Sequence, residues 1–201
     1  MSPRMGITQE KIMDTAAAFV DEEGFSALTI ATLSKRLNIR PPSLYNHVSG
    51  LHEIQAALAV KGLSMLCEEG MQVTEGLEKK KLFLAFARQY VQFVRTHPGL
   101  YEAAFSHMNE KEVRLAAERL VQFVQSIMSR FGVKEEEMTH VVRGLRSLLH
   151  GFGDISNKKG FQRKEQLEES VSYAVRLYIT GVLQKRRSVY LTGLFYSKTI
   201  S

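Results

Sequence analysis

The sequence predicts an all-α protein, with a small N-terminal helix-turn-helix unit followed by a longer helical domain. Three observations carry this. Four long stretches place apolar residues at the 3.6-residue period, while strand-like alternation is rare. The 201 residues include only 4 prolines, Pro3, Pro41, Pro42 and Pro98, none inside those stretches. The composition, 44% hydrophobic and 24% charged, is that of an ordinary globule and excludes collagen, low-complexity disorder and coiled-coil rods. A chain of this length buries about 70% of its unfolded surface, so its core needs no staples.

Ile12, Ala16, Phe19 and Val20 fall at i, i+4, i+7 and i+8, and Gly24 sits where a C-cap glycine belongs, so the first helix spans about Thr8 to Glu23. Thr29 can N-cap a short second helix carrying Ile30, Leu33 and Leu37, with Asn38 as its left-handed stop. Proline suits a first helical turn, so a third short helix runs from about Pro41 to His47. Gly50 breaks it, and a longer helix starts near Leu51. Four stripes follow: Phe83, Phe86, Tyr90 and Phe93; Val113 to Phe131; Met138 to Phe152; and Leu167 to Leu183. The expected breaks are the Lys79–Lys81 region, His97-Pro98-Gly99, Phe131-Gly132 and Asn157–Gly160. The aromatic tail from Ser188 to Ser201 has no assignable form.

No run approaches the roughly 18–20 apolar residues of a membrane helix. The N-terminus meets Arg4, Glu10 and Lys11 without an apolar run between them, so no signal peptide is expected. The single cysteine, Cys67, excludes an internal disulfide and a cysteine-based zinc site. A cytoplasmic protein without membrane contact is the expectation. Net charge is +6, which favours polyanionic partners. From Gly24 to His52 there is no acidic residue, while Lys35, Arg36 and Arg40 are present. A solvated basic face accounts for the charge equally well.

Helix, tight turn and helix over residues 29–47 is the pattern of a major-groove reader. Leu33, Leu37, Ile39 and Leu44 would form its inner core against the first helix. Arg40, Ser43, Tyr45, Asn46 and His47 would face outward, where Arg reads guanine edges and hydroxyls reach phosphates. A plain helical corner with incidental basic residues would carry the same pattern. Leu28-Thr29-Ile30-Ala31-Thr32-Leu33-Ser34-Lys35-Arg36-Leu37-Asn38-Ile39-Arg40-Pro41-Pro42-Ser43-Leu44-Tyr45-Asn46-His47-Val48 resembles the DNA-binding domain of TetR-family transcriptional regulators, over about residues 7–60. His97-Pro98-Gly99-Leu100-Tyr101 and Leu148-Leu149-His150-Gly151-Phe152 resemble one C-terminal subfamily.

The resemblance implies a homodimer of about nine helices. Residues 1–50 would bind DNA and residues 51–201 would bind an effector and dimerise. It implies that Thr29, Tyr45 and His47 touch phosphates and that Arg40, Pro41 and Ser43 face bases; from the residues themselves, Asn46 joins the DNA-facing set and Lys35 and Arg36 would serve phosphates. Two departures stand out. The family's usual lysine at the start of the fourth helix is Leu51 here, so that phosphate contact is lost or supplied by His52. Pro41-Pro42 removes two N–H donors from an anion-attracting helix start.

The apolar faces near 135–156 and 165–187, the latter widened by Tyr178 and Ile179, suit a four-helix interface with a twofold mate. Such a pairing sets two recognition helices about 34 Å apart. Burial within a monomer is the alternative. Phe86, Tyr90, Phe93, Tyr101, Phe105, Met108 and Phe123 form a set suited to a small apolar or aromatic effector, or to plain core. His150 would bond that effector, although a bond to a backbone carbonyl is its more ordinary role. No catalytic residue, cofactor or metal site is expected. His-Glu-x-x-His, the P-loop and Gly-x-Ser-x-Gly are absent, and Gly151-Phe152-Gly153 lacks its third glycine. The functional expectation is a ligand-responsive regulator, a repressor on a palindromic operator that the effector releases. A helical small-molecule binder with weak or sequence-independent DNA binding is the alternative.

Overall fold

Thr8 opens the first helix by accepting the Lys11 N–H on its side chain at 3.2 Å, and Gly24 closes it at φ 91°. The computed structural model describes residues 7–162 and 166–184; the predicted tail from Ser188 lies outside them. Among the described residues there are nine α-helices and no strand. They are α1 (Gln9–Glu23), α2 (Ile30–Arg36), α3 (Pro41–Tyr45), α4 (Leu51–Thr74), α5 (Lys79–Thr96), α6 (Pro98–Ala103), α7 (Lys111–Arg130), α8 (Glu135–Asn157) and α9 (Leu167–Gln184). A 3₁₀ turn, Phe25–Ala27, joins α1 to α2. None of these helices is long and apolar enough to cross a membrane.

Apolar periodicity is resolved into two main cores. The smaller gathers Ile12, Ala16 and Val20 of α1, Leu33 of α2 and Leu44 of α3. Ile54 and Leu58 of α4 and Leu100 and Ala103 of α6 complete it. Leu37 and Ile39, expected in this core, pack at its edge and are partly buried. The larger core is built by α4, α5, α7, α8 and α9, with Phe83, Phe86 and Phe93 at its centre. At 24 residues α4 is about 36 Å long, enough for its first turns to close one core and its later turns to enter the other. Cys67 is buried on α4, and burial raises its thiol pKa.

Three expectations need correction. Lys79–Lys81 does not break the chain; those lysines open α5, and the break is at 75–78. His97-Pro98-Gly99 ends α5 but also starts α6, with Pro98 at its first position. Tyr178 and Ile179 do not widen an outer apolar face. Ile179 is buried, and the Tyr178 hydroxyl donates to the Val141 carbonyl of α8 at 2.6 Å. The exposed apolar residues of α9 are Tyr173 (69% exposed) and Leu177 (57%) instead.

Candidate functional site

Helix α2 is too short to persist alone, so its ends carry unusual weight. Thr29 accepts the Thr32 N–H at 3.0 Å, and the Thr32 hydroxyl oxygen accepts the Thr29 N–H at 2.9 Å. This reciprocal cap satisfies two otherwise orphan donors. At the other end Asn38 adopts φ 54°, the Ile39 N–H reaches Ser34 O at 3.0 Å and the Asn38 N–H reaches Lys35 O at 3.1 Å. That pair of bonds is a Schellman stop with Asn in place of Gly. Arg40 is the N-cap of α3 and Pro41 its first residue. The five-residue α3 has one buried side chain, Leu44, which fixes the orientation of all the others.

The predicted contact residues are accessible to solvent. Thr29, Lys35, Arg40, Pro41, Ser43, Tyr45, Asn46 and His47 are all exposed, and Tyr45 is 54% exposed. Arg36 differs, because its Nη2 pairs with Glu22 Oε2 at 2.6 Å and its guanidinium lies 5.9 Å from the Phe19 ring. It braces α2 on α1. His52 also turns elsewhere, with Nε2 3.5 Å from Glu110 Oε1 and its ring edge-on to His107 at 5.0 Å. Leu51 packs against the smaller core. Glu53 just beyond the acid-free stretch accepts both the Ser49 N–H (2.7 Å) and hydroxyl (2.6 Å) on Oε2. Those hydrogen bonds hold its carboxyl below the usual range.

His107 lies edge-on to Phe25 as well as His52. Burial and then the His52 charge lower its pKa below the ordinary 6.5, against an opposing pull from Glu110. The folded state therefore binds the proton less well than the unfolded chain. Its stability is full above about pH 6.5 and falls as pH drops through the lowered folded pKa. His107→Gln is expected to lose less melting temperature than the parent between pH 7.5 and 5, roughly, as read by thermal unfolding at both pH values.

The predicted effector residues divide among four places. Phe86, Tyr90, Phe105 and Met108 line a partly open apolar cavity of about 50 Å³ between α4, α5, α7 and α8. Tyr101, Phe105 and His150 line an open cleft of about 950 Å³ beside it. Phe123 packs edge-on against Phe86 but borders a separate hollow at the far end of α4. Phe93 is core, with its ring against His97 at 5.1 Å. Among the described residues His150 bonds a tyrosine rather than a backbone carbonyl. Its Nδ1 meets the Tyr101 hydroxyl at 2.8 Å, which in turn meets the Tyr90 hydroxyl at 2.9 Å. Burial raises both tyrosine pKa values, so both hydroxyls keep their protons.

Sequence patterns gave no sign of how α6 bridges the two cores. Its Tyr101 belongs to the larger core and its Leu100 to the smaller. Asp21 at the end of α1 holds it there. Oδ1 accepts the Leu100 N–H at 3.0 Å and Oδ2 meets His97 Nδ1 at 2.8 Å. Gly99 lies so close to α1 that a Cβ would be 2.0 Å from Val20 O. Arg146 was also missed. It stacks over Phe105 at 4.5 Å on the wall shared by cavity and cleft, and nothing in its helical position distinguishes it from a solvated arginine. Among the described residues no group of three His, Cys, Asp or Glu side chains is placed to hold a metal.

Residues 83–178 match the family described as "Tetracyclin repressor-like, C-terminal domain". An uncharacterized HTH-type transcriptional regulator, YobS of Bacillus subtilis, is 39% identical over 190 residues, covering 94% of this chain and all of the relative. Among solved structures, the TetR-family regulator PfmR of Thermus thermophilus superposes with TM-score 0.65 at 18% identity, over 86% of this chain and 96% of that one. A TetR variant of Acinetobacter baumannii in complex with minocycline gives TM-score 0.66 at 15% identity, over 90% and 98%.

Proposed function

This chain belongs to the TetR family of helix-turn-helix transcriptional regulators, which are not enzymes, and on that premise we propose that it is a repressor. It binds a palindromic operator as a homodimer in the cytoplasm, and a small effector with an apolar or aromatic body releases it. Residues 1–50 are the DNA-reading unit, and residues 51–201 supply dimerisation and the effector site. The observation that supports this most is the exposed side of α3 and its flanks. Arg40, Ser43, Tyr45, Asn46 and His47 are all accessible there and make no side-chain hydrogen bond or ion pair with the described residues. A duplex presents one negative charge per about 1.7 Å, so uncommitted donors and cations on an acid-free stretch fit it.

In this reading Tyr45, His47 and Thr29 fix the register through phosphates, and Arg40 with Ser43 reads base edges. Lys35 adds sequence-independent attraction. Exposed Tyr173 and Leu177 of α9 and Ile155 of α8 supply the twofold contact, where burial of apolar area drives association. Effector binding beside Tyr101 shifts α6, and the Asp21 and Gly99 contacts carry the shift to α1. The separation of the two reading heads then changes, and effector and operator antagonise each other reciprocally.

Two substitutions test the assigned roles. Tyr45→Phe removes an exposed hydroxyl without disturbing the core, so binding is expected to weaken about tenfold and equally on all sequences, with unchanged melting temperature. Arg40→Ala is expected to cost about 1–3 kcal/mol and to relax preference at one position per half-site. Competition binding against a set of single-base variants reads both. An equal loss on every sequence for Arg40→Ala would assign it to the backbone instead.

A further inference from the structure

The boundary between the apolar cavity and the open cleft has a polarity that an effector must match. Arg146 is the one charged residue on the cavity wall; nearly all the rest is Leu, Val, Phe, Met and Ala, with Tyr90 as the other polar side chain. The same Arg146 also lines the cleft, as does Phe105, whose ring lies under its guanidinium at 4.5 Å. No carboxylate of the described residues pairs with it. Two acidic residues do line the cleft, Glu102 and Asp154, and Asp154 is already paired with Lys158 Nζ at 2.9 Å.

The neighbouring polar groups reinforce the sign. Arg146 can only donate. Beside it the Tyr90 hydroxyl, the Tyr101 hydroxyl and His150 Nδ1 form a hydrogen-bonded row, at 2.9 and 2.8 Å. Arg146 and His150 are both exposed and both line the cleft, so their N–H groups can meet a ligand acceptor there. A planar guanidinium fork matches a carboxylate better than any neutral group. The cavity, at about 50 Å³, is smaller than the roughly 150 Å³ that admits benzene. A ring enters only if wall side chains yield, and Met108 is the unbranched one, 39% exposed in the turn between α6 and α7.

We propose that the effector is a small amphipathic carboxylate, with a single ring or short branched chain in the cavity and its carboxylate on Arg146 at the cavity mouth. This rests on the reading of residues 51–201 as the effector domain. It narrows the effector from apolar to anionic and apolar together. Met108 is the side chain that yields to it.

The test uses the full-length protein and a panel of phenyl- and alkyl-carboxylates of four to ten carbons, each paired with its carboxamide. Binding is read by calorimetry, and release from a selected duplex is read separately. At least one carboxylate is expected to bind tenfold or more tightly than its amide. Arg146→Gln should abolish that preference while leaving the amide's affinity unchanged, and Arg146→Lys should retain part of it. Matching melting temperatures show that the variants are folded. Amides that bind as well as their carboxylates, a preference that survives Arg146→Gln, or no binding anywhere in the panel would each overturn the proposal. Amides that bind and release DNA would sink the charge assignment yet keep the effector site. A carboxylate that binds through Arg146 without affecting DNA would keep the charge assignment and sink the effector reading.

Discussion

Gly99→Ala is expected to lower stability by about 3 kcal/mol, at the upper end of overpacking costs, or roughly 6–12 °C in melting temperature for a chain of this size. The added Cβ would lie 2.0 Å from Val20 O, 2.2 Å from Val20 C and 2.8 Å from Asp21 N. All three are backbone atoms, so no side chain can rotate away. Helix α6 must lift from the end of α1, and the two Asp21 bonds, to the Leu100 N–H and His97 Nδ1, stretch with it. Because Leu100 sits in one core and Tyr101 in the other, both cores feel the change. Thermal unfolding of the variant beside the parent measures it. A melting temperature within 2 °C or so of the parent would show that α1 and α6 are not locked together in this way.

Leu44→Ala is expected to cost about 2–5 kcal/mol, the range for a large-to-small change in a closed core. Leu44 is fully buried and is the single buried residue of α3, so nothing else in that helix resists its loosening. A five-residue helix has no independent stability. The expected result is loss of DNA binding on every sequence, together with a lower melting temperature. Most of the helical circular dichroism should remain below the transition, because the larger core contains no residue from α1 to α3. Tyr45→Phe, on the next residue but exposed, separates the two effects, since it should reduce binding and leave stability alone. Equal stability of the Leu44→Ala variant and the parent would contradict the core assignment.

The parts of the fold that were legible in the sequence are those set by local chemistry. Thr29 can cap, Asn38 tolerates the left-handed region, and proline at 41 suits a helix start; all three do so here. Long helices with one apolar face announce themselves by period, and α5, α7, α8 and α9 follow suit. What escaped is set by partners distant in sequence. Helix α6 has six residues and no cap of its own, and Asp21, 79 residues before Leu100, supplies one. Arg146 shares its helix with exposed charges, and only the folding of Phe105 beneath it places it at a cavity mouth. Tyr178 carries an apolar ring that sequence reading assigned to a mate, but its hydroxyl is taken by Val141 within the chain. His52 illustrates the same limit, since its engagement with Glu110 and His107 depends on a loop more than 50 residues away.

The account rests most on sequence-specific recognition of DNA by a paired α3. The direct measurement is selection from random duplexes by the purified full-length protein, with binding to the enriched pool read at two salt concentrations. The expected pool carries a twofold-related site whose half-site centres lie about one helical turn, roughly 34 Å, apart. Its affinity should fall steeply with salt, as phosphate contacts require. A pool that stays unenriched would contradict the account. Salt-dependent binding without enrichment would then describe a sequence-independent DNA coater, and no binding at either salt would describe a small-molecule binder.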